Sequence, residues 1–184
     1  MKIAISMNGI VRDLLTKVKV VHEKYYESKI KGSLTEKNIL KKLDFEDEDM
    51  LLDFLFEEAP MEIYGHSKEK SPNFIRGLNE LSLRRNDLII TLISDEVGRA
   101  IPATYWFLAK FGSQTKNVRF IKQKEKKKIW EDFDVIITND EKIIKHKPDN
   151  KILVSNRSFK LVDVKFKKIK DILNLDILVS DEKK

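Results

Sequence analysis

The chain predicts an α/β fold: a Rossmann-like parallel sheet flanked by helices, with a helical segment inserted near its start. Apolar runs of strand length at Lys2 to Ile5, Asp87 to Ser94, Val118 to Ile121, Phe133 to Thr138 and Lys151 to Ser155 are separated by helical patterns, as in βαβ units. The second run, Leu88-Ile89-Ile90-Thr91-Leu92-Ile93, is almost continuously apolar, which marks a strand buried on both faces. Residues 14 to 86 carry only helix-period patterns between the first two strands.

Each element has its own local cause. The first strand runs to Gly9, where the chain can turn without a Cβ penalty. From Asp13 a helix is predicted, with Leu14, Val18, Val21 and Tyr25 on one stripe and Lys17, Lys24 and Glu27 facing away. Gly32 and Ser33 end it, and a short helix over Thr35 to Leu43 follows. A third helix spans Asp47 to Ala59, with three acids at its positive end and Pro60 beyond it. Tyr64 to Lys70 reads as a loop. Ser71-Pro72 then supplies an N-cap and a first-turn proline for a helix with Phe74, Ile75, Leu78 and Leu81 inside. After the second strand, Pro102 sits in the first turn of a helix that packs through Trp106, Phe107, Leu108 and Phe111 and stops at Gly112. The tail from Lys167 to Leu175 reads as a last short helix. The expected organisation is an α/β core over 1–13 and 87–184 and an inserted helical subdomain over 14–86.

Bulk properties narrow the function. At 184 residues the chain suits one well-packed core, and 41% hydrophobic residues can fill it. A net charge of +6 permits an acidic partner without requiring one. There is no cysteine, so disulfides, thiolate zinc sites and a Cys nucleophile are excluded. The apolar runs fall far short of the ~20 residues that cross a bilayer, so the expectation is a cytoplasmic protein with no membrane partner. Abundant Lys, Ile and Asn suit an AT-rich genome such as that of a phage or a low-GC bacterium. His22, His66 and His146 share no ligand spacing, and no Walker A, Gly-x-Gly-x-x-Gly or Gly-x-Ser-x-Gly motif is present.

The stretch Lys2 to Val11, with its strand ending Ser6-Met7-Asn8-Gly9, resembles the first motif of the haloacid dehalogenase (HAD) superfamily. In that family the strand ends Asp-x-Asp-Gly, whose first Asp is the phosphorylated nucleophile and whose second is the general acid and base. The order of elements is most similar to the cytosolic and phage-type 5′-deoxyribonucleotidases, which carry a helical cap after this motif. The resemblance makes Ser94, closing the second strand, a phosphate ligand, and gives the phosphate-neutralising lysine to Lys127 in the run Lys122 to Lys128. It makes Thr138, Asn139 and Asp140 the positions of the acids that hold Mg²⁺.

The departures decide the expected activity. Ser6 has a hydroxyl with a pKa far above 7 and no evident base, and the Asn8 amide cannot shuttle protons. With Thr138 and Asn139 also neutral, too little negative charge remains for a Mg²⁺ ion. The sequence therefore points to a catalytically inactive pseudoenzyme that needs no cofactor and acts by binding. Its partner would be a protein surface in a phage or host assembly, or a phosphate-bearing ligand at Ser94 and a lysine. Two rivals stand beside it. One is an unorthodox Mg²⁺-dependent phosphohydrolase using Asp140, Asp95 or Asp13; the other is a nucleic-acid-binding module using the lysine run. The run lacks the interleaved aromatics that stack on bases, and Asp95, Glu96 and Arg99 read as a solvated helix start.

Overall fold

The computed structural model describes residues 1–156, 163–165 and 172–173; the tail helix expected over Lys167 to Leu175 lies outside them apart from Ile172 and Leu173. The described strands are β1 (Lys2–Ser6), β2 (Ile89–Ser94), β3 (Asn117–Phe120), β4 (Val135–Ile137) and β5 (Ile152–Val154). They form one sheet in the order β3-β2-β1-β4-β5, and every pairing is parallel. All five fall on the apolar runs that the sequence marks. The α/β unit comprises 1–11, 69–95 and 112–184.

In that unit β1 sits at the centre, with Ile3, Ala4 and Ile5 fully buried. One sheet face belongs to a cluster of Ala4, Ile93, Ile136, Trp130, Phe133 and Ile143, among others. β2 is buried at Ile90, Leu92 and Ile93, whereas Ile89 is exposed, so its continuous apolarity overstated burial at the first residue. Helix α4 (Phe74–Arg84) does not start on the expected Ser71 cap. Asn73 takes a left-handed conformation (φ 62°), and Glu69 reaches forward instead, accepting from Asn73 N at 3.1 Å and Ile75 N at 2.7 Å. A carboxylate at the positive end of the helix dipole does the work of the hydroxyl.

The helical unit comprises 12–68 and 96–111. The division therefore differs from the expected one: α4 groups with the sheet, and the helix after β2, α5 (Ala100–Lys110), groups with the helices. Helices α1 (Leu14–Tyr25), α2 (Ile39–Lys42) and α3 (Glu48–Asp53) complete the regular α-helices of the unit. The predicted third helix does not run unbroken to Ala59. It passes into two π-helical turns, Phe54–Glu58 and Met61–Gly65, on either side of Pro60. Pro60 has no N–H to continue the α ladder, and the bonds around it widen to i−5, from Ala59 N to Phe54 O (3.1 Å) and His66 N to Met61 O (2.9 Å). Gly65, expected in a loop, lies inside the second π turn, where a Cβ would come within 2.5 Å of Met61 Sδ and 3.4 Å of Ala103 O. On α5 the inward face is Ala100, Ala103, Thr104, Phe107 and Leu108. That i, i+3, i+4 stripe leaves Trp106 half-exposed instead of packed as expected.

Arg12, His22, Ser67, Glu96 and Thr104 are buried in this unit. Arg12 and Glu96, which begin its two segments, form an ion pair with both side chains wholly buried. Arg12 also donates to Thr104 Oγ1 at 2.9 Å and Tyr64 O at 3.3 Å, and its guanidinium lies 4.9 Å from the Tyr64 ring centroid. Glu96 is thus a core residue and not part of a solvated helix start, while Arg99 pairs with Glu57 at the surface. His22 is buried among Tyr26, Phe45 and Phe54, at ring distances of 4.5, 5.3 and 5.6 Å. Burial pushes its imidazole below the ordinary value, against the pull of the Leu43 carbonyl.

Two outcomes follow. Glu96→Gln is expected to cost about 3 to 5 kcal/mol in urea unfolding because Arg12 keeps its buried charge, and Arg12→Met with Glu96→Leu recovers most of that loss in a double-mutant cycle. Because the folded His22 value lies below the unfolded one, near 6.5, the unfolded chain takes up the proton first. Stability from this group is complete above pH 6.5 and is lost as pH falls toward the folded value, by no more than about 1.4 kcal/mol per pH unit. A pH series of melting temperatures should have this acid-side slope, and His22→Phe should flatten it.

Candidate functional site

In an open parallel sheet the ligand crevice lies at the carboxyl ends of the strands where strand order reverses. Here the reversal is at β1, which pairs with β2 on one edge and β4 on the other. Ser6 ends β1, Ser94 ends β2, and Thr138 follows β4. Gly9, at φ 80°, takes the backbone conformation that lets the chain turn away after Asn8.

The polar side chains at this edge bond to one another. Ser6 Oγ donates to Thr138 Oγ1 at 2.7 Å, and Thr138 Oγ1 accepts from Asp140 N at 3.0 Å. Asn8 Nδ2 donates to Asp95 Oδ1 at 3.3 Å. Lys126 Nζ donates to Asp95 Oδ2 at 2.8 Å and to Asp140 Oδ2 at 2.6 Å. Asp140 also accepts from Lys142 N at 2.8 Å, capping the short helix α6 (Glu141–Ile144).

The lysine at the crevice is therefore Lys126 and not Lys127, which is exposed. The reason is local. The run holds a 3₁₀ turn, Gln123–Glu125, and a second, Ile129–Glu131, follows it; Lys126, between them, bonds through its N to Gln123 O at 3.4 Å. Lys126 and Ile129, three residues apart, are both buried, and that three-residue step is the signal in the sequence. Asn139 is also placed differently from the resemblance: its Oδ1 accepts from Ser155 Oγ at 2.8 Å and Asn156 N at 3.4 Å, tying the ends of β4 and β5. Asp95, read as solvated, shares the lysine with Asp140.

Electrostatically, burial pulls the Lys126 pKa down, but the charge of Asp95 and the hydrogen bonds to Asp140 outweigh it, so the pKa lies above its ordinary value. The lysine side chain is 5% exposed. It stays an ammonium between two carboxylates, and the cluster carries one net negative charge. Ser94 Oγ is buried and has no hydrogen-bond partner among the described residues. The Mg²⁺ of the resembling family does not fit this set. Positions 6, 8 and 138 are uncharged, and the two acids already share an ammonium. No group of three His, Asp or Glu side chains among the described residues is placed to hold a metal ion. No described helix is long and apolar enough to cross a membrane.

No protein-family model matches the chain, and no curated protein matches it. Solved structures do. A putative haloacid dehalogenase-like hydrolase from Burkholderia xenovorans LB400 is 12% identical, with a TM-score of 0.57 and 96% of each chain covered. A HAD-superfamily hydrolase of subfamily IA, variant 1, from Geobacter sulfurreducens PCA is 11% identical, with a TM-score of 0.57 over 95% of each chain. A dehalogenase in an intermediate complex is 10% identical, with a TM-score of 0.55, covering 95% of this chain and 96% of that one. At these identities the likeness is one of fold, and the fold of this chain is HAD-like, a Rossmann-type parallel sheet flanked by helices.

Proposed function

We propose that this chain is a catalytically inactive HAD-like protein that acts by binding. The observation that carries the reading is the Lys126 ammonium held between Asp95 and Asp140. In the resembling enzymes the crevice needs a carboxylate nucleophile and a metal, and a lysine neutralises the phosphoaspartate. Here Ser6 spends its proton on the Thr138 hydroxyl, and the lysine charge is already neutralised. Losing nucleophile and metal together removes several orders of magnitude in rate.

Two features bear on what is bound. The free Ser94 hydroxyl supports a phosphate-bearing ligand at the crevice, while the net negative charge of the cluster opposes one. A protein partner answers both. The second reading, an Mg²⁺-dependent nucleotidase-like phosphohydrolase, draws support from the convergence of Asp95 and Asp140 and from the hydrolases that share the fold. Asp13, offered with them from the sequence, belongs to the helical unit. The nucleic-acid reading loses Lys126 from its run, since that charge is buried and paired.

A phosphatase assay with nucleoside monophosphates, run beside a thermal-shift titration with Mg²⁺ and inorganic phosphate, tests this directly. No turnover and no Mg²⁺-dependent shift is expected; Mg²⁺-dependent turnover that vanishes in Asp140→Asn establishes the second reading instead. Lys126→Met removes the shared cation from two carboxylates. It should lower stability by about 2 kcal/mol, between an exposed and a buried pair, and should gain a stabilisation by millimolar Mg²⁺ that the parent chain lacks.

A further inference from the structure

We propose that the amino-terminal end of the sheet holds a second binding site, a groove for a small aromatic carboxylate. The groove belongs wholly to the α/β unit. It lies at the opposite end of the strands from the crevice, so turnover in the phosphatase assay would sink the reading above and leave this one standing.

The groove arises from a missing cover. Side chains alternate along a strand, so the register puts Lys2, Ile89, Thr91, Asn117 and Arg119 on the sheet face that carries Ala4 and Ile93. At the carboxyl half of that face Ile129, Trp130 and Ile143 join Ala4 and Ile93 in one buried cluster. The amino half has no such cover among the described residues. The chain between β3 and β4 forms only two 3₁₀ turns of three residues each, where a parallel crossover ordinarily carries a longer helix. A parallel sheet is normally covered on both faces, and here the first residues of β1, β2 and β3 border a groove instead.

The groove encloses about 440 Å³, within the range of roughly 300 to 1,000 Å³ of small-molecule sites. Its lining supplies two kinds of contact. Ile89 is 49% exposed on it, and Phe133 lines it from the segment that enters β4; together they make an apolar slot. Lys2 and Lys116 flank the slot, and neither ammonium has an ion pair among the described residues. Thr91 and Asn117 add neutral hydrogen-bonding groups. Arg119, the third cation of the lining, is already paired with Asp132.

These contents select the occupant. An apolar slot between two unpaired ammoniums suits a ligand with a flat apolar body and a negative charge. The Arg119 fork, which would grip a phosphate through two parallel bonds, is spent on Asp132. Two lysine point charges and a hydroxyl suit a carboxylate, which carries a single negative charge.

Methyl-detected NMR of the full chain tests this with naphthoate, against naphthylmethylamine, in which an ammonium replaces the carboxylate, and against inorganic phosphate. Naphthoate should shift the Ile89 and Thr91 methyl signals in a saturable titration while the Thr138 methyl at the crevice stays in place. The amine and phosphate should leave the Ile89 and Thr91 signals unmoved. Lys2→Gln with Lys116→Gln should weaken naphthoate binding about fivefold or more, and Ile89→Gln should weaken it as well. Circular dichroism checks that each variant is folded, and Lys116→Gln alone serves where the pair is not. No saturable shift at Ile89 and Thr91, equal binding of the amine or of phosphate, or undiminished binding in the lysine variant overturns the proposal. A nuclear Overhauser contact from the Ile89 methyl to the chain's own C-terminal residues, or a dimer that dissociates in Ile89→Gln, also overturns it, by giving the groove to that segment or to a second copy.

Discussion

The constraint on which the α/β unit depends is that its first strand is its central one. β1 is paired along both edges, Ile3 with Ile90 and Val135, Ile5 with Leu92 and Ile137. A strand with no free edge and covered faces must be apolar throughout, which Ile3, Ala4 and Ile5 satisfy. Its register brings the ends of three strands together: Ser6 pairs with Ile93, one residue before Ser94, and Thr138 follows directly on Ile137. A one-residue slip would invert every side chain between the two faces and separate Ser6 from Thr138. The crevice is thus a product of the pairing, whatever chemistry its side chains perform.

Once the crevice exists, the identities of its residues constrain one another. Asn8 donates through its amide to Asp95. A carboxylate at that position would set an acceptor against an acceptor, and with another at position 6 would bring four negative charges to one strand edge around a single ammonium. Such an arrangement needs a divalent cation to hold it. Neutral groups at 6 and 8, a lysine serving two acids and a threonine taking the serine proton form a consistent hydrogen-bonded set. As a network, nearly every group here has a partner, and the Ser94 hydroxyl has none among the described residues.

Much of this was legible in the sequence because strands and glycine turns report themselves locally. All five described strands and their parallel arrangement follow from apolar runs and their punctuation, whereas Ser6, Asn8, Ser94 and Thr138 were singled out by the resemblance to the HAD motifs. What escaped depends on geometry between distant segments. The choice of Lys126 over Lys127 is decided by the turn between two short 3₁₀ segments, which buries Lys126 and leaves Lys127 exposed. Arg12 and Glu96 are 84 residues apart, and nothing beside either one announces a buried charge. The exposure of Trp106 turned on which stripe of α5 faces inward, a question the neighbouring Phe107 obscures. The π turns arise from a proline whose missing donor a helical pattern treats as an end.

The acidic stretch over residues 44 to 62 has a cost that packing does not require. Asp49 and Asp53 are four residues apart at like charge, a spacing that destabilises a helix by roughly 0.2 to 0.5 kcal/mol, and Glu57 and Glu58 extend the same sign along the chain. Arg99 offsets one of these charges. The carboxylate of Asp47 contributes a cap, accepting from Met50 N, but Asp49 and Asp53 make no comparable bond among those described. The same stretch supplies Leu51, Phe54, Ala59 and Ile63 to the core of the helical unit, so its inward face is well used while its outward face combines self-repulsion with exposed Met50 and Leu52. Residues chosen for stability alone would alternate charge there and bury or replace the apolar groups.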